Sequence, residues 1–367
     1  MEKKKLLIFH PTLAPYRIDF FNRLQSEFEV RLCFSFKFSI FKNYEKLEEK
    51  LAFRPIYMKS KPNHNTSLVS EYIKQIKDYD PDIVLTSEYD KGTIVTILNR
   101  WLKRKQYKIV SICDDSYDMV SKNKDFSFRH TLTRKTFAWF VDNIILVEPR
   151  VVDWYKKKFH KGIWMPIIRD DKSLRIKYEE LLPASRDLVK EHHLENKHVF
   201  LFVGRLSKEK NIETILSSFS KLAPKDNVLV IIGSGQEEAK LKKQAAALNN
   251  VIFTGRLEGD NLYAWYNVAS CFILASTQEA FGAVTNEALI AGCWTLVSEK
   301  AGSQCLIKSG VNGDVFNPLK PEELVEKMKD AFSKTMAVKN PLPLKENKMV
   351  VDFEDCMDRV IHEIMLL

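Results

Sequence analysis

The stretch Cys271–Gly302, CFILASTQEAFGAVTNEALIAGCWTLVSEKAG, decides the fold of this chain. The short apolar run Cys271–Ala275 is typical of a buried strand. Apolar residues at helical spacing in Ala283–Ala291 predict a helix that ends at Gly292, and Trp294–Val297 predicts the next strand. The order strand, loop, helix, strand is typical of an α/β protein with a parallel sheet.

Two glutamates of this stretch are candidates for a binding site. Glu279 lies in the predicted loop, and Glu287 lies about one turn into the predicted helix. Both can face the crevice at the strand ends, where open α/β sheets bind ligands. The start of the helix suits an anion such as a diphosphate, and carboxylates beside it suit the hydroxyls of a sugar or ribose. Taken alone, however, the pair is better explained as two solvated surface glutamates.

The composition is that of an ordinary globular protein with room for two domains. The 367 residues are 45% hydrophobic and 29% charged. Six scattered cysteines without a CxxC pair predict reduced core thiols rather than disulfides or zinc ligands. Neither a signal peptide nor an apolar run of membrane-spanning length is recognisable, so we expect a cytoplasmic protein.

The net charge of +9 is concentrated in the first half. Residues 1–170 contain 32 Lys and Arg against 21 Asp and Glu, whereas the remainder contains 25 against 27. Anionic membrane lipid, a diphosphate-bearing acceptor and nucleic acid are candidate partners, and a general solubility surplus is the other explanation. The aromatic stretch Phe34–Phe41 beside Lys37 and Lys42 is either core or a membrane anchor.

Two successive alternations of strands and helices predict two doubly wound domains. The predicted strands are Lys5–His10, Phe28–Phe34, Arg54–Met58, Asp82–Ser87, Lys108–Cys113 and Asn143–Val147, followed by His198–Val203, Val228–Ile232, Val251–Thr254, Cys271–Ala275 and Trp294–Val297. We expect an N-terminal domain at 1–170 and a second domain at 171–345. After a Lys- and Pro-rich linker, a helix within 346–367 would pack back on the first domain.

Several nucleotide and metal motifs do not occur. No GxGxxG follows the first strand, which argues against a dinucleotide-binding domain, and GxxxxGK[ST] is missing. HExxH, CxxC clusters and GxSxG are also missing. No nucleic-acid-binding module is recognisable, and we therefore expect no nucleic-acid partner.

Glycines and basic residues recur at the predicted strand ends of the second half. FVGRLSKEK places Gly204 at a strand end, with Arg205 and Lys210 in the following loop. Arginine and lysine there suit a diphosphate. IGSG at Ile232–Gly235 and the glycine of VIFTGRL at Val251–Leu257 end the next two strands. Each could be an ordinary turn, but together they would line one crevice facing the first domain.

These motifs resemble the nucleotide-sugar half of a retaining glycosyltransferase of the GT-B fold, of the family 4 type. GRLSKEKNIETIL, IIGSGQE, VIFTGRLE, the glutamates eight positions apart and SEKAGS occur in this order between Val199 and Phe332. In the first half, APYRIDFFNRL at Ala14–Leu24 is similar to the PYR-containing loop of members that build bacterial surface polysaccharides. The resemblance implies two Rossmann-like domains facing a central cleft.

The resemblance also implies roles for individual residues. Arg205 and Lys210 would bind the donor diphosphate, Glu287 the ribose, and Glu279 the transferred sugar. Further donor contacts would come from Gly204, Ser234, Gly235, Gly255, Arg256, Phe281, Gly282 and Ala283. Family members typically retain the anomeric configuration and need no metal, because basic side chains and a helix dipole replace the cation. We therefore expect neither a metal nor another cofactor.

The sequence departs from the family pattern at several positions. Ala280 replaces the glycine of EGFG, and the histidine often found after a central strand of the first domain is not evident. Asp114 ends a comparable strand, which makes it a catalytic candidate. Four more candidates for the acceptor side are Tyr16, Arg17, Glu88 and Asp115. A capping role is as good an explanation for the acidic residues.

The leading hypothesis is a metal-independent, retaining glycosyltransferase of polysaccharide biosynthesis. It would move a sugar from a UDP- or GDP-sugar to a glycan or lipid-linked glycan, with peripheral contact between the basic N-terminal domain and anionic membrane. A nucleotide-sugar epimerase of the same fold is the nearest alternative. A non-catalytic nucleotide- or glycan-binding protein is another, but the intact set of Arg205, Lys210, Glu279 and Glu287 argues against it.

Overall fold

The computed structural model describes residues 2–37, 47–60, 67–122, 128–222 and 226–367. The chain divides into two compact units. Unit 1 comprises Met1–Ile167 together with Glu354–Leu367, and unit 2 comprises Ile168–Phe353. Each unit is built on one parallel β-sheet of the Rossmann type.

Unit 1 contains a seven-stranded sheet in which each strand pairs parallel to its neighbours. Its strands are β1 (Lys5–His10), β2 (Glu29–Phe34), β3 (Ile56–Tyr57), β4 (Ile83–Ser87), β5 (Lys108–Cys113), β6 (Asn143–Leu146) and β7 (Ile163–Trp164). Their spatial order is β3-β2-β1-β4-β5-β6-β7. The direction of strand addition reverses between β1 and β4, which is where ligands bind in this class of sheet.

Helices connect these strands, and one more comes from the end of the chain. They are α1 (Ile18–Glu27), α2 (Val69–Tyr79), α3 (Lys91–Lys103), α4 (Tyr117–Lys122), α5 (Phe128–Phe137) and α6 (Pro149–Phe159). The last helix, Phe353–Met365, packs within unit 1 from its second residue onward. Arg23 on α1 holds it through ion pairs of 2.7 Å to Glu354 and 2.6 Å to Asp358.

Unit 2 contains a six-stranded parallel sheet in the order β10-β9-β8-β11-β12-β13. Its strands are β8 (His198–Val203), β9 (Asn227–Ile232), β10 (Val251–Gly255), β11 (Cys271–Leu274), β12 (Trp294–Ser298) and β13 (Gly313–Phe316). Its helices are α7 (Asp171–Glu180), α8 (Leu182–Glu191), α9 (Ile212–Phe219), α10 (Glu238–Gln244), α11 (Asp260–Val268), α12 (Val284–Ile290) and α13 (Pro321–Lys334). The last helix of the chain, Phe353–Met365, which packs within unit 1, is α14 in this numbering.

The unbroken apolar runs of the unit 2 strands reflect helices on both faces of the sheet. Successive side chains of a strand point to opposite faces, so Leu201 and Phe272 join one core cluster. Their neighbours Phe200 and Ile273 join the other. Here the direction of strand addition reverses between β8 and β11, and loops after these two strands carry the predicted donor residues.

The structure places the unit boundaries differently from the expected 170/171 and 345/346. Residues 335–352, which we call the strap, contain no helix or strand and pack on unit 2. Val338 exchanges backbone hydrogen bonds with Asn196 and Lys197. The buried Lys345 ammonium donates to the carbonyl oxygens of Tyr266, Asn267 and Ala269 at 2.6–3.1 Å. The expected linker is therefore a packed part of unit 2.

The aromatic stretch predicted as core or anchor is only partly described. Phe34 is buried at the end of β2, which assigns this residue to the core. Phe36 is half-buried and Lys37 exposed, whereas Phe38–Phe41 lie outside the described residues. Within the described part of the chain, no helix combines the length and apolarity needed to cross a bilayer.

Candidate active site

The loops that follow β8 and β11 meet at the C-terminal edge of the unit 2 sheet. The Lys210 ammonium lies against Glu279 Oε2, and both side chains are largely buried. The backbone carbonyl of Glu209 accepts a 2.8 Å hydrogen bond from Thr277 N–H. Neighbouring strands at the sheet's reversal point thus bring together a cation and a carboxylate that are 69 positions apart in sequence.

Arg205 is an exposed cation of the same loop, as is Lys208. Among the described residues, no hydrogen bond or ion pair engages its guanidinium. Glu209 hydrogen bonds to the Ser207 hydroxyl at 2.6 Å, which is the first cause of its lowered pKa, and the charges of Lys210 and Arg205 lower that pKa further. The loop therefore concentrates positive charge at its rim, where a phosphate group would be attracted.

Close loop-to-loop packing explains the glycines of the IGSG turn. A Cβ on Gly233 would lie 1.8 Å from Gly204 O, and one on Gly235 would lie 2.3 Å from Leu206 O. The Leu206 N–H also donates to the Ser234 carbonyl, and the Leu206 carbonyl accepts from Glu237 N–H. The backbone that comes close to this turn is thus that of the loop after β8. Ser234 and Gly235 themselves are exposed at the edge.

The loop before α12 is fixed by contacts with the segment after β12. Gly282 has φ +92°, and a Cβ there would lie 2.6 Å from Leu274 Cδ2. The Phe281 side chain is buried, and its carbonyl accepts a 2.8 Å hydrogen bond from Ser303 N–H. Ala283 directly precedes α12. This packing holds the Glu279 loop in place without using its carboxylate.

Glu287 lies in the first turn of α12, and its carboxylate contacts Tyr266 and Arg169, which the sequence did not indicate. Its Oε2 accepts a 3.2 Å hydrogen bond from the buried Tyr266 hydroxyl, and Oε1 lies 3.9 Å from the Arg169 guanidinium. Arg169 also donates to the Tyr263 hydroxyl at 2.8 Å. Burial and then the Glu287 charge raise the pKa of Tyr266 well above its usual value, so it remains a donor. The glutamate is therefore held in one orientation.

The structure does not bring Arg256 to these carboxylates by any described contact. Its guanidinium pairs with Glu258, two residues on, and both side chains are exposed. Gly255 ends β10, and its carbonyl accepts from Gly233 N–H at 2.8 Å. Asn211, which directly precedes α9, makes no capping hydrogen bond to a backbone N–H of that helix. Its side chain instead bonds Thr214 and the Pro318 carbonyl.

In unit 1, the expected residues also gather at the reversal point of the sheet. The loop after β1 places the buried Arg17 against Asp114, with Nη2 and Oδ1 2.5 Å apart. Arg17 Nε is buried without a hydrogen-bond partner. The partly buried Tyr16 lies beside the Arg17 guanidinium, and burial raises its pKa. Asp114 is therefore neutralised by Arg17 at this edge.

Glu88 and Asp115, the other two acidic candidates, are contacted by side chains of the unit 1 helices α5 and α6. Glu88 pairs with His130 on α5 at 3.1 Å. Asp115 is buried, and its carboxylate accepts from Tyr155 at 2.6 Å and from Arg134 at 3.4 Å. These bonds hold the Asp115 carboxylate in the core, which argues against the contact with the acceptor that was expected for it. His130, Arg134 and Tyr155 carry no local sequence signal, because their partners lie 19 to 42 positions away.

His10, at the end of β1, is a further titratable group near Arg17 and Asp114. Its Nδ1 lies 2.7 Å from the Thr12 carbonyl oxygen. Burial and then the Arg17 charge lower its pKa to about 4. His10 is therefore neutral at physiological pH, with the Nδ1 proton donated to Thr12.

The second half of the chain matches a known family. Residues 185–348 match the family described as "Glycosyl transferases group 1". An uncharacterized glycosyltransferase of Methanocaldococcus jannaschii is 34% identical over 134 residues, which cover 35% of this chain and 34% of that protein. A second one from the same organism is 26% identical over 352 residues, which cover 88% of each protein. The relative with the higher identity is thus matched over only about a third of its length.

A solved structure matches both units. The crystal structure of Anabaena Alr3699/HepE in complex with UDP covers 99% of this chain and 100% of that chain, with a TM-score of 0.76 and 17% identity. This likeness confirms the predicted fold, two Rossmann-like domains of the GT-B type. The family match and the relatives support a glycosyltransferase.

Proposed function

We propose that this chain is a retaining, metal-independent glycosyltransferase that moves a sugar from a nucleotide-sugar to a glycan or lipid-linked glycan. The observation that carries the proposal is the meeting of Lys210 and Glu279 beside the exposed Arg205. A donor diphosphate needs cations, and the transferred sugar needs hydrogen-bond acceptors. The loops after β8 and β11 supply both at one edge.

Arg205 and Lys210 would bind the diphosphate and stabilise the charge of the leaving nucleoside diphosphate. The guanidinium is a planar fork that matches phosphate oxygens, whereas the ammonium has three donors. Lys210 can therefore keep Glu279 as a partner and still donate to a phosphate oxygen. Two cations at the leaving group would do the work for which many transferases use a divalent metal.

Glu287 would bind the ribose hydroxyls. Hydroxyl donors suit a carboxylate, and the contacts with Tyr266 and Arg169 orient this one before the ligand arrives. Such preorganisation spares part of the entropy cost of binding. Glu279 would accept hydrogen bonds from the hydroxyls of the transferred sugar, and in a retaining transfer the acceptor attacks on the face from which the diphosphate leaves.

UDP-sugars are the first donors to test. The structurally similar HepE was crystallised with UDP and also with UDP-glucose, the latter at a TM-score of 0.74. GDP-sugars remain the alternative, since the contacts expected at Gly255 are made by backbone and favour no particular base. On the acceptor side, Tyr16, Arg17, Asp114 and Glu88 lie at the corresponding edge of unit 1 and are the groups we propose for the acceptor hydroxyl.

Calorimetric titration of UDP and GDP tests the donor site. We expect Arg205→Ala and Glu287→Gln to weaken binding of the preferred nucleotide, each by about tenfold, since each loses a charge-assisted hydrogen bond. Glu213→Gln is the matched control, because this exposed glutamate of the same unit pairs with Lys240. Unchanged binding in both site variants would refute the assignment.

Product analysis then tests the reaction. Incubation with donor alone separates a transferase from the alternative epimerase, which would convert the nucleotide-sugar without an acceptor. With an acceptor present, NMR of the anomeric proton should show the donor's configuration in the product. Activity should also persist in EDTA, and loss that Mg²⁺ restores would refute metal independence.

A further inference from the structure

Helix α5 of unit 1 is oriented against the usual rule, with charge inside and apolar side chains outside. On its inner side, His130 pairs with Glu88 and the fully buried Arg134 pairs with Asp115. On its outer side, Phe128 and Leu132 are exposed, Phe128 by 83%. The inner ion pairs fix the rotation of the helix, so the apolar residues cannot turn inward.

The apolar surface continues past the end of α5. Trp139 and Phe140 are about half exposed in the turn that follows. Phe128 and Leu132 are four positions apart and lie along one side of α5, and Trp139 follows the last helical residue by two positions. One edge of the Trp139 ring packs on Phe159 at the end of α6, with a centroid distance of 5.0 Å. The rest of the indole remains accessible.

The end of α3 lies beside the turn that follows α5. Arg100 Nη2 donates to the Phe140 carbonyl at 2.5 Å, which places the two segments side by side. The next residues, Trp101 and Leu102, are exposed by 76% and 67%. We define the aromatic edge as the exposed side chains of Trp101, Leu102, Phe128, Leu132, Trp139 and Phe140. The exposed large apolar residues of unit 2 are, in contrast, dispersed along its sequence.

Basic residues surround the aromatic edge. Arg129 and Lys135 on α5, Lys156 and Lys157 on α6, and Arg104 after α3 are exposed. Lys158 lies over the Trp154 ring at 4.7 Å, and burial followed by the charges of Lys135 and Arg134 lowers its pKa. Asp142, the acidic residue of the turn after α5, is bonded to Arg100. The edge therefore combines apolar side chains with a surplus of positive charge.

We propose that the aromatic edge is a docking surface for an anionic phospholipid bilayer. Tryptophan and phenylalanine favour the headgroup region, and lysine and arginine bind acidic lipid headgroups. The charge surplus favours an acidic lipid surface over an uncharged apolar partner. The surface lies on different residues from the candidate donor site, and this inference goes beyond the proposed sugar transfer.

Vesicle co-sedimentation tests this directly. Wild type should bind phosphatidylcholine vesicles that contain about 30% phosphatidylglycerol, bind phosphatidylcholine alone much more weakly, and be released by salt. The triple variant Phe128→Ser, Leu132→Ser, Trp139→Ser should lower the partition coefficient by about tenfold or more. Lys135→Gln with Lys156→Gln and Lys157→Gln should lower it by about fivefold per charge.

A matched variant controls for general surface apolarity. Ile176→Ser, Leu319→Ser and Met336→Ser remove three exposed apolar side chains from unit 2, and vesicle binding should not change. Each variant should unfold at the temperature of wild type and keep donor turnover, which separates this test from that of the sugar transfer. The Trp139→Phe variant should show a smaller blue shift of fluorescence on vesicles.

Three results would overturn the proposal. Wild type could remain in the supernatant with anionic vesicles. The triple variant could bind as well as wild type or the unit 2 control. Binding to polyglutamate without binding to vesicles would assign the edge to an acidic protein instead.

Discussion

Units 1 and 2 share a sheet topology, but their strand-end loops are stabilised in different ways. In unit 2 the loops hold one another through backbone hydrogen bonds and glycine contacts, and Arg205 stays exposed. In unit 1 the corresponding charges are paired, with Arg17 on Asp114 and Arg134 on Asp115. The topology thus determines where a site can lie, and the side chains determine whether its charge is available to a ligand.

The largest effect should come from breaking a buried pair of unit 1. Arg134→Met leaves the buried Asp115 without its cation, which we expect to lower the free energy of unfolding by about 3–5 kcal/mol. Arg129→Met, an exposed arginine of the same helix, should change it by about 0.5 kcal/mol or less. Urea unfolding measures both. Equal midpoints for the two variants would mean that the pair does not hold this edge.

The matching substitution in unit 2 should affect chemistry and leave stability nearly unchanged. Lys210→Met removes a cation from the proposed leaving-group site, so we expect kcat to fall by about 10²–10³-fold. Its pair with Glu279 leaves 20% and 16% of the two side chains exposed, against 0% and 2% for Arg134 and Asp115, so it should contribute less to folding, about 1 kcal/mol. Lys208→Met, two residues away and exposed, is the control. A large loss of stability with normal kcat would contradict the contrast between the units.

Much of the fold was predictable because the strands are local apolar runs. The predicted β1, β5 and β8 have the observed bounds. Short or polar elements were missed: β13, for example, has only four residues and begins with glycine. The lysines and prolines of the strap predict a solvated linker, yet the Lys345 ammonium donates hydrogen bonds to three backbone carbonyls of unit 2.

The candidate site was predictable only where its residues form contiguous motifs. Arg205, Lys210, Glu279 and Glu287 lie in strand-end stretches that can be recognised one at a time. Arg169 could not be found this way, since it reaches Glu287 from a segment 118 positions earlier and its neighbours form no motif. The unit 1 partners likewise depend on how helices pack on the sheet, which periodicity does not specify.

The pH dependence of stability should distinguish the units further. His10 in unit 1 has a pKa lowered from 6.5 to about 4, so between these values the unfolded chain binds a proton that the folded chain does not. Stability should therefore fall as pH is lowered through this window, by up to about 3 kcal/mol. His10→Asn should remove this loss.

The measurement is the difference between wild type and the His10→Asn variant across pH 4 to 6.5. The difference is needed because burial raises the pKa of Asp90 to about 6, and that shift makes stability fall as pH rises. Asp90 contributes equally to both proteins and cancels. A difference that does not depend on pH would show that His10 titrates normally.

The smallest effect concerns Arg205, an exposed cation of unit 2. The Arg205→Gln variant keeps a neutral amide donor and loses only the charge of the exposed guanidinium, so it should weaken nucleotide binding by about fivefold at low salt and less at high salt, where the charge is screened. Lys208→Gln, in the same loop, should have a salt dependence close to that of wild type. An Arg205 effect that persists at high salt would mean that the guanidinium becomes buried against the phosphate. The exposed loop of unit 2 would then resemble the paired loops of unit 1 once the nucleotide is bound.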